Sequence, residues 1–231
     1  MRSGILVPRG GRIRNQEPQI IDIRALAEDL IRRAAAAPRT IVGIAGIPGA
    51  GKSTLGRDLL DAIETIDPGV PVLVPMDGFH LTSERLERLG LRDRKGAPHT
   101  FDADGYVELL RKARDPRITL RFPVYDRQLH EPVFDDAEAH VITPAARIVL
   151  TEGNYLLLDT EPWSRLADVL DASWLLDTPV DKARGWTIER HVRGGRDRAD
   201  AEAHYERSDA LNVRLVLDRM RLPDLRLKWN E

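Results

Sequence analysis

Gly46-Ile47-Pro48-Gly49-Ala50-Gly51-Lys52-Ser53-Thr54 constrains this chain more than any other stretch, because it satisfies G-x-x-x-x-G-K-[ST] at every position. Glycines in that pattern let successive backbone N–H groups turn inward toward phosphate oxygens. A lysine adds positive charge near the β- and γ-phosphates, and a hydroxyl is offered to Mg²⁺. The flanks agree with the motif. The apolar, β-branched run Thr40 to Ala45 predicts a buried strand, and Lys52 to Ile66 predicts a helix with Leu55, Leu59, Ile63 and Ile66 on one face. Strand, loop and helix in that order seat phosphates on a helix N-terminus. Gly46, Gly49, Ala50, Gly51, Lys52, Ser53 and Thr54 are therefore the expected nucleotide-binding residues, with ATP and Mg²⁺ as cofactors.

With 231 residues and 42% hydrophobic content the chain can bury one substantial α/β core, expected over residues 17–231. Residues 1–16 read as a flexible segment or a tag remnant, since Leu6-Val7-Pro8-Arg9-Gly10 resembles a protease-cleavable linker. A net charge of -2 from 35 basic and 37 acidic residues argues against a nucleic-acid or membrane-surface partner. Without cysteine there are no disulfides, thiolate metal sites or cysteine nucleophiles. No apolar run approaches the ~20 residues of a membrane helix, so a cytoplasmic protein is expected.

Along the chain, Ile20 to Ala37 has helical spacing and stops at Pro38. Val70 to Met76 reads as a strand whose Pro71 and Pro75 assign it to an end or edge position. Asp77-Gly78-Phe79-His80 follows it. A short helix is expected over Leu81 to Leu89, then a long charged loop from Gly90 to Phe101, a candidate substrate or closure element. Asp102 to Ala113 reads as a helix capped by Asp102, and Ile118 to Phe122 as a strand. The pieces Pro132-Val133-Phe134 and His140-Val141-Ile142 suit a small antiparallel excursion. Arg147 to Gly153 and Ser173 to Asp177 are further strands. Thr178-Pro179-Val180-Asp181 opens a helix with a hydroxyl cap, a proline and an acid. That helix should run to Val192 and break at Gly194-Gly195, followed by a helix over Asp200 to Arg221 and a strand over Asp224 to Trp229.

Phosphoryl transfer needs held phosphates, a metal, a group to orient or deprotonate the acceptor, and cations for the migrating charge. Open parallel sheets bind ligands beyond the carboxyl ends of their strands, which is where Asp77 and Glu152 fall. Asp77 is the candidate general base, and Glu152 joins Ser53 as a candidate metal ligand. Arg190, Arg193, Arg196 and Arg198 surround Gly194-Gly195 and suggest a lid at about residues 190–200 that closes over ATP, with Arg190 on the nucleotide and Arg193 on the transferring group. The bland reading of those arginines is a solvated helix surface. Asp102-Ala103-Asp104-Gly105 fits a GTPase motif but sits at a helix start, and no Asn-Lys-x-Asp reads guanine. The six histidines lack paired spacing such as H-E-x-x-H, and no serine has the G-x-S-x-G setting.

The ordered set Gly46 to Thr54, Met76-Asp77-Gly78-Phe79-His80, Lys95-Gly96-Ala97-Pro98 with Phe101-Asp102, Phe122-Pro123-Val124-Tyr125-Asp126 and Leu150-Thr151-Glu152-Gly153-Asn154 resembles the uridine kinase, phosphoribulokinase and type I pantothenate kinase superfamily. Asp-Gly-Phe-His and Glu-Gly-Asn-Tyr-Leu-Leu-Leu are most similar to a bacterial branch described as uridine kinase-like or fructose-transport-associated kinases. The resemblance implies a P-loop NTPase kinase fold: three layers, α/β/α, a mostly parallel five-stranded sheet and a helical lid. It implies that Asp77 is the base, that Tyr125 and His130 line the acceptor pocket, and that a homodimer could form. His80 and Arg127 join them as substrate candidates. The expected activity is transfer of the γ-phosphate of ATP to a hydroxyl of a nucleoside or sugar-like small molecule, with a pantothenate-type or sugar/polyol kinase as alternative. Gly78-Phe79 departs from the uridine kinases, as does the arginine after Tyr125-Asp126. Arg92, Arg94, Lys95 and Arg127 favour a polar, anionic acceptor. A regulatory ATPase without a small-molecule acceptor is the rival from another class.

Overall fold

The computed structural model describes residues 17–134 and 140–230, so the expectation for residues 1–16 lies outside the described residues. The backbone is organised on a sheet of β1 (Gln19–Ile20), β2 (Thr40–Ala45), β3 (Pro71–Pro75), β8 (Ile148–Gly153), β9 (Ala172–Leu176) and β10 (Leu225–Lys228). Their order is β1-β10-β9-β2-β8-β3, and every neighbouring pair is parallel. β2 and β8 are buried at every residue, as strands covered on both faces must be. β3 is the edge strand, so its two prolines leave no inner ladder bond unmade.

The sheet has six strands rather than five. The extra one, β1, takes in Ile20, the first residue of the stretch expected to be helical. The helix α1 (Ile23–Ala35) starts only after Asp22, whose side chain caps Ala25 N, and Gln19 and Ile20 pair with Leu227 and Lys228 instead. Edge pairing beside β10 outweighs helical spacing at Ile20, the first residue of that stretch.

α1 packs on α2 (Lys52–Ile66) against one face of the sheet, and α4 (Ala103–Ala113) covers the other. Alternation along β8 shows the two faces: Thr151 is hydrogen-bonded to Tyr106 of α4, whereas the next side chain, Glu152, reaches Ser53 of α2. Leu55, Leu59 and Ile63 are buried as expected; Ile66, at the end of α2, is exposed. Arg39 is a buried cation that the sequence did not single out. Its guanidinium donates to the carbonyls of Ala146, Ala113, Asp115 and Thr143, which closes the end of the sheet away from the glycine loop.

The antiparallel excursion is two ribbons, β4 (Leu120–Arg121) with β7 (Val141–Ile142) and β5 (Val124–Asp126) with β6 (Glu131–Val133). The short helix α3 (Ser83–Arg88) precedes them. α5 (Val180–Arg193) ends at Gly194, and Gly195 (φ 97°) turns the chain into α6 (Arg198–His204). Thr178 does not cap α5; its hydroxyl donates to the carbonyl of Ala50 at 2.9 Å. The helix expected over Asp200 to Arg221 is interrupted by a π turn at Tyr205–Asp209 before α7 (Ala210–Arg219). No helix among the described residues is long and apolar enough to cross a membrane.

Candidate active site

Parallel pairing sets Ala45 beside Gly153 and Leu175, and Pro75 beside Glu152, so the carboxyl ends of β2, β3, β8 and β9 open on one side of the sheet. There lies a cleft of about 1290 Å³ bounded by the glycine loop, Asp77, the Arg92 to Gly96 loop and the α5–α6 hairpin. Pockets for one small ligand hold about 300–1,000 Å³, so this one has room for a nucleotide and a second molecule.

Gly49, Lys52 and Ser53 line the cleft, while Gly46, Ala50 and Gly51 form the turn that supports them. Thr54 lies inside the first turn of α2, exposed and away from the cleft wall. Gly49 sits at φ 79°, and a Cβ there would fall 2.2 Å from Thr187 Oγ1 and 2.4 Å from the carbonyl of Ala183. Only glycine lets α5 lie directly on the loop. The Ala50 carbonyl accepts from both Thr178 Oγ1 and Trp229 Nε1, the latter at 3.1 Å. Thr178 and Trp229 thus brace the loop from β9 and the chain's end, a role that spacing could not reveal because both contacts span more than a hundred residues.

Lys52 is 7% exposed, and its Nζ donates to the Ile47 carbonyl at 2.9 Å and to Asn154 Oδ1 at 2.6 Å. Burial lowers its pKa to about 8 against the opposing pull of Glu152 and Asp77; Arg190 lowers it further. Ser53 Oγ donates to Glu152 Oε1 at 3.0 Å. Glu152 is 5% exposed, and burial followed by Asp77 raises its pKa, while Lys52 and the Ser53 hydrogen bond oppose this. Burial prevails, because the carboxylate has exchanged water for one hydroxyl and one nearby ammonium. A hydroxyl and a carboxylate oxygen side by side are the hard donors that fit Mg²⁺.

Asp77 lines the cleft from a single 3₁₀ turn, Met76–Phe79. Its carbonyl accepts from His80 N at 3.2 Å and stands 2.7 Å from His80 Nδ1, a geometry that places the ring proton on Nδ1. The His80 ring rests against Phe101 and Tyr125 at centroid distances of 4.0 and 4.7 Å, and burial lowers its pKa and keeps it neutral. Gly78 explains the departure from the uridine-kinase pattern: a Cβ there would fall 1.9 Å from the carbonyl oxygen of Pro123. That close approach brings β5, and Tyr125 with it, beside Asp77. Gly78→Ala should therefore push β5 away and cost about 1–3 kcal/mol of stability. A thermal melt checks this, and an unchanged midpoint would contradict the close packing.

Tyr125, Arg127 and His130 all line the cleft. Burial, with Asp77 and Glu131, pushes the Tyr125 phenol up to about 12, so it stays protonated. Lys95 Nζ lies 5.5 Å from the Tyr125 ring centre and donates to the His130 carbonyl, which joins the charged loop to the β5–β6 ribbon. Tyr155 Oη and Asn212 Nδ2 donate to the Gly96 carbonyl and hold that loop from beneath.

The arginine hairpin divides differently from expectation. Arg190 and Arg196 line the cleft; Arg193 and Arg198 do not. The Arg193 side chain is exposed and turns back to the Glu189 carbonyl at 3.3 Å, and Arg198 pairs with the Glu189 carboxylate. The sequence located the last turn of α5 but not the direction in which each side chain leaves it. Arg94, read from the sequence as favouring an anionic acceptor, lines the cleft, and Arg207 and Asn154 reach it without having been named as site residues.

A phosphate loop closing the central strand of an all-parallel sheet, with a helical hairpin across the cleft, places the molecule among the P-loop kinases. No protein-family model matches the chain. It is 40% identical over 195 residues to the uncharacterized protein YggC of Escherichia coli K12, covering 84% of this chain and 79% of that protein. It is 36% identical over 200 residues to the "Putative uridine kinase C227.14" of Schizosaccharomyces pombe, covering 82% of this chain and 83% of that one. The crystal structure of a "putative fructose transport system kinase" from Silicibacter sp. TM1040 matches with a TM-score of 0.80 and 32% identity over 89% of this chain and 98% of that chain. The chain belongs to the uridine kinase, phosphoribulokinase and type I pantothenate kinase superfamily, and it is a phosphotransferase.

Proposed function

We propose that the protein transfers the γ-phosphate of ATP to a hydroxyl of a small sugar-like or nucleoside metabolite, and that the acceptor carries a negative charge. The observation behind this reading is the shared cleft: Lys52, Ser53 and Glu152 on one wall, Asp77 with His80 and Tyr125 on another, and room between them for two ligands. The loop amides and Lys52 hold the phosphates. Ser53 and Glu152 would hold Mg²⁺, which when bound neutralises phosphate charge. Asp77 takes the proton of the acceptor hydroxyl as the new P–O bond forms. Tyr125, His130 and Arg127 orient that acceptor. Arg190 and Arg196 supply charge to the migrating group, in place of Arg193.

The acceptor's charge follows from Arg94 and Arg127. Both line the cleft, and neither guanidinium makes a hydrogen bond or ion pair within the described residues. Arg92 and Lys95, by contrast, pair with Glu87 and Glu131. A guanidinium without an ion pair among the described residues, beside a substrate pocket, suits a carboxylate or phosphate on the ligand. An ADP-release screen tests the reading. Sugar acids, hydroxy acids or phosphorylated sugars should stimulate release more than neutral sugars and nucleosides. Stimulation by a protein partner, with none by any small alcohol, would contradict it and favour the regulatory ATPase.

Lys52 also gives the site a pH signature. Its pKa in the folded chain, about 8, lies below its ordinary 10.5. The unfolded chain therefore binds more protons between those values, and this residue's contribution to stability rises with pH across that window. Bound phosphates favour the charged ammonium, so ATP binding should draw a proton onto Lys52. ATP affinity should fall as pH rises through about 8, and the calorimetric enthalpy should depend on the buffer's ionisation enthalpy. Constant affinity from about pH 7 to about pH 9 would contradict a phosphate-contacting Lys52.

A further inference from the structure

On the hairpin side of the cleft stand three side chains to which the kinase reading gives no task. His191 ends α5's apolar face, His204 closes α6, and Asp209 closes the π turn. One ligand atom from each lies within 4.8 Å of the other two. His191 Nε2 is 3.0 Å from Asp209 Oδ2, and the two imidazoles meet edge to face at a centroid distance of 4.8 Å and 79°. All three side chains are half-buried.

The π turn makes this cluster. In an α-helix, residues five apart point about 140° away from each other, since each residue advances about 100°. In a π turn the hydrogen bond runs between residues five apart, here from Ala210 N to the Tyr205 carbonyl, and residues five apart stack. His204 and Asp209 are five apart. The widened turn brings them to one side, where the last turn of α5 supplies His191. The six histidines show no metal-binding spacing in sequence because this set spans two helices and depends on a turn that helical periodicity does not register.

We propose that His191, His204 and Asp209 bind a divalent transition metal, with Zn²⁺ as the best match. Two imidazoles and one carboxylate are the three-ligand donor set with which zinc keeps a fourth position open. Nitrogen donors select zinc, nickel and copper over Mg²⁺, so the site does not duplicate the Ser53–Glu152 pair. Arg196 and Arg207 act on His204 and oppose any cation. Both are exposed, so water and salt screen them, whereas Asp209 is in direct contact. All three residues line the cleft, so water or a phosphate oxygen can reach the remaining position. A bound metal would join α5's last turn, which carries Arg190, to the π turn and so stiffen the hairpin.

The test needs no substrate. Metal-free, nucleotide-free protein should take up one equivalent of Zn²⁺ in a chelator-competition titration, and Co²⁺ should give visible bands of a nitrogen-bound, low-coordinate site. Losing an outer-shell partner already costs about 10–100-fold in metal affinity, so His204→Ala and Asp209→Asn should each weaken binding by at least that much. His99→Ala, outside the cluster, should bind as wild type. Circular dichroism on each variant establishes that it is folded. Should His204→Ala not fold, Asp209→Asn, which keeps the side chain's shape, decides alone. Absence of stoichiometric uptake by wild type, or uptake unchanged in the folded variants, would overturn the site and leave a hydrogen-bonded cluster only.

Discussion

Asp77→Asn is expected to bind ATP and to transfer its phosphate about 10²- to 10⁴-fold more slowly, the range typical of a positioned base. The substitution keeps the shape of the side chain, and the contacts that set the 3₁₀ turn are made by Asp77's carbonyl, which asparagine retains. The sign of the effect on ATP separates this loss from general damage. Asp77 lies close enough to Lys52 and Glu152 to affect the titration of both, so its charge opposes incoming phosphates. Removing it should leave ATP affinity equal or slightly tighter while turnover collapses. Turnover near wild type on a competent acceptor would show that Asp77 is not the base.

Lys52→Ala should fail at an earlier step. Hydrogen bonds to a charged group contribute about 1.5–3 kcal/mol, so ATP should bind about 10- to 150-fold more weakly. Loss of a preorganised cation from the transferring group should remove a further 10²- to 10³-fold, roughly, from turnover. The variant also leaves Glu152 buried with one compensating group fewer, which should hold that carboxyl in its neutral form and weaken any metal site it shares with Ser53. Calorimetric titration with ATP is the check, together with the rise in melting temperature that ATP should give wild type but not the variant. Equal affinity in both proteins would remove Lys52 from the phosphate site.

What the sequence discloses here is what depends on neighbours in the chain. Gly46 to Thr54 is legible because each position answers a local backbone demand, and Asp77 and Glu152 are legible because one follows a strand and the other stands at the end of one. The edge position of β3 follows from Pro71 and Pro75. What is hidden depends on contacts between distant segments or on a change of helical pitch. Trp229 and Thr178 meet at the Ala50 carbonyl across the sheet. Arg193 stands on the expected turn and faces away. The π turn at Tyr205–Asp209 carries no signature in hydrophobic spacing, so the approach of His204 to Asp209 emerges only in three dimensions. Gly78 lies between these cases: its identity is visible as a departure from a family pattern, but the reason, the Pro123 carbonyl, is not.

The fate of the γ-phosphate tests the account most directly. With γ-labelled ATP, excess protein and the acceptor that most stimulates ADP release, a single turnover should place the label in a phosphate ester of the acceptor. The Asp77→Asn protein should hold labelled ATP without forming that ester. Label recovered only as inorganic phosphate, at a rate independent of every hydroxylated acceptor, would contradict a transfer site in this cleft.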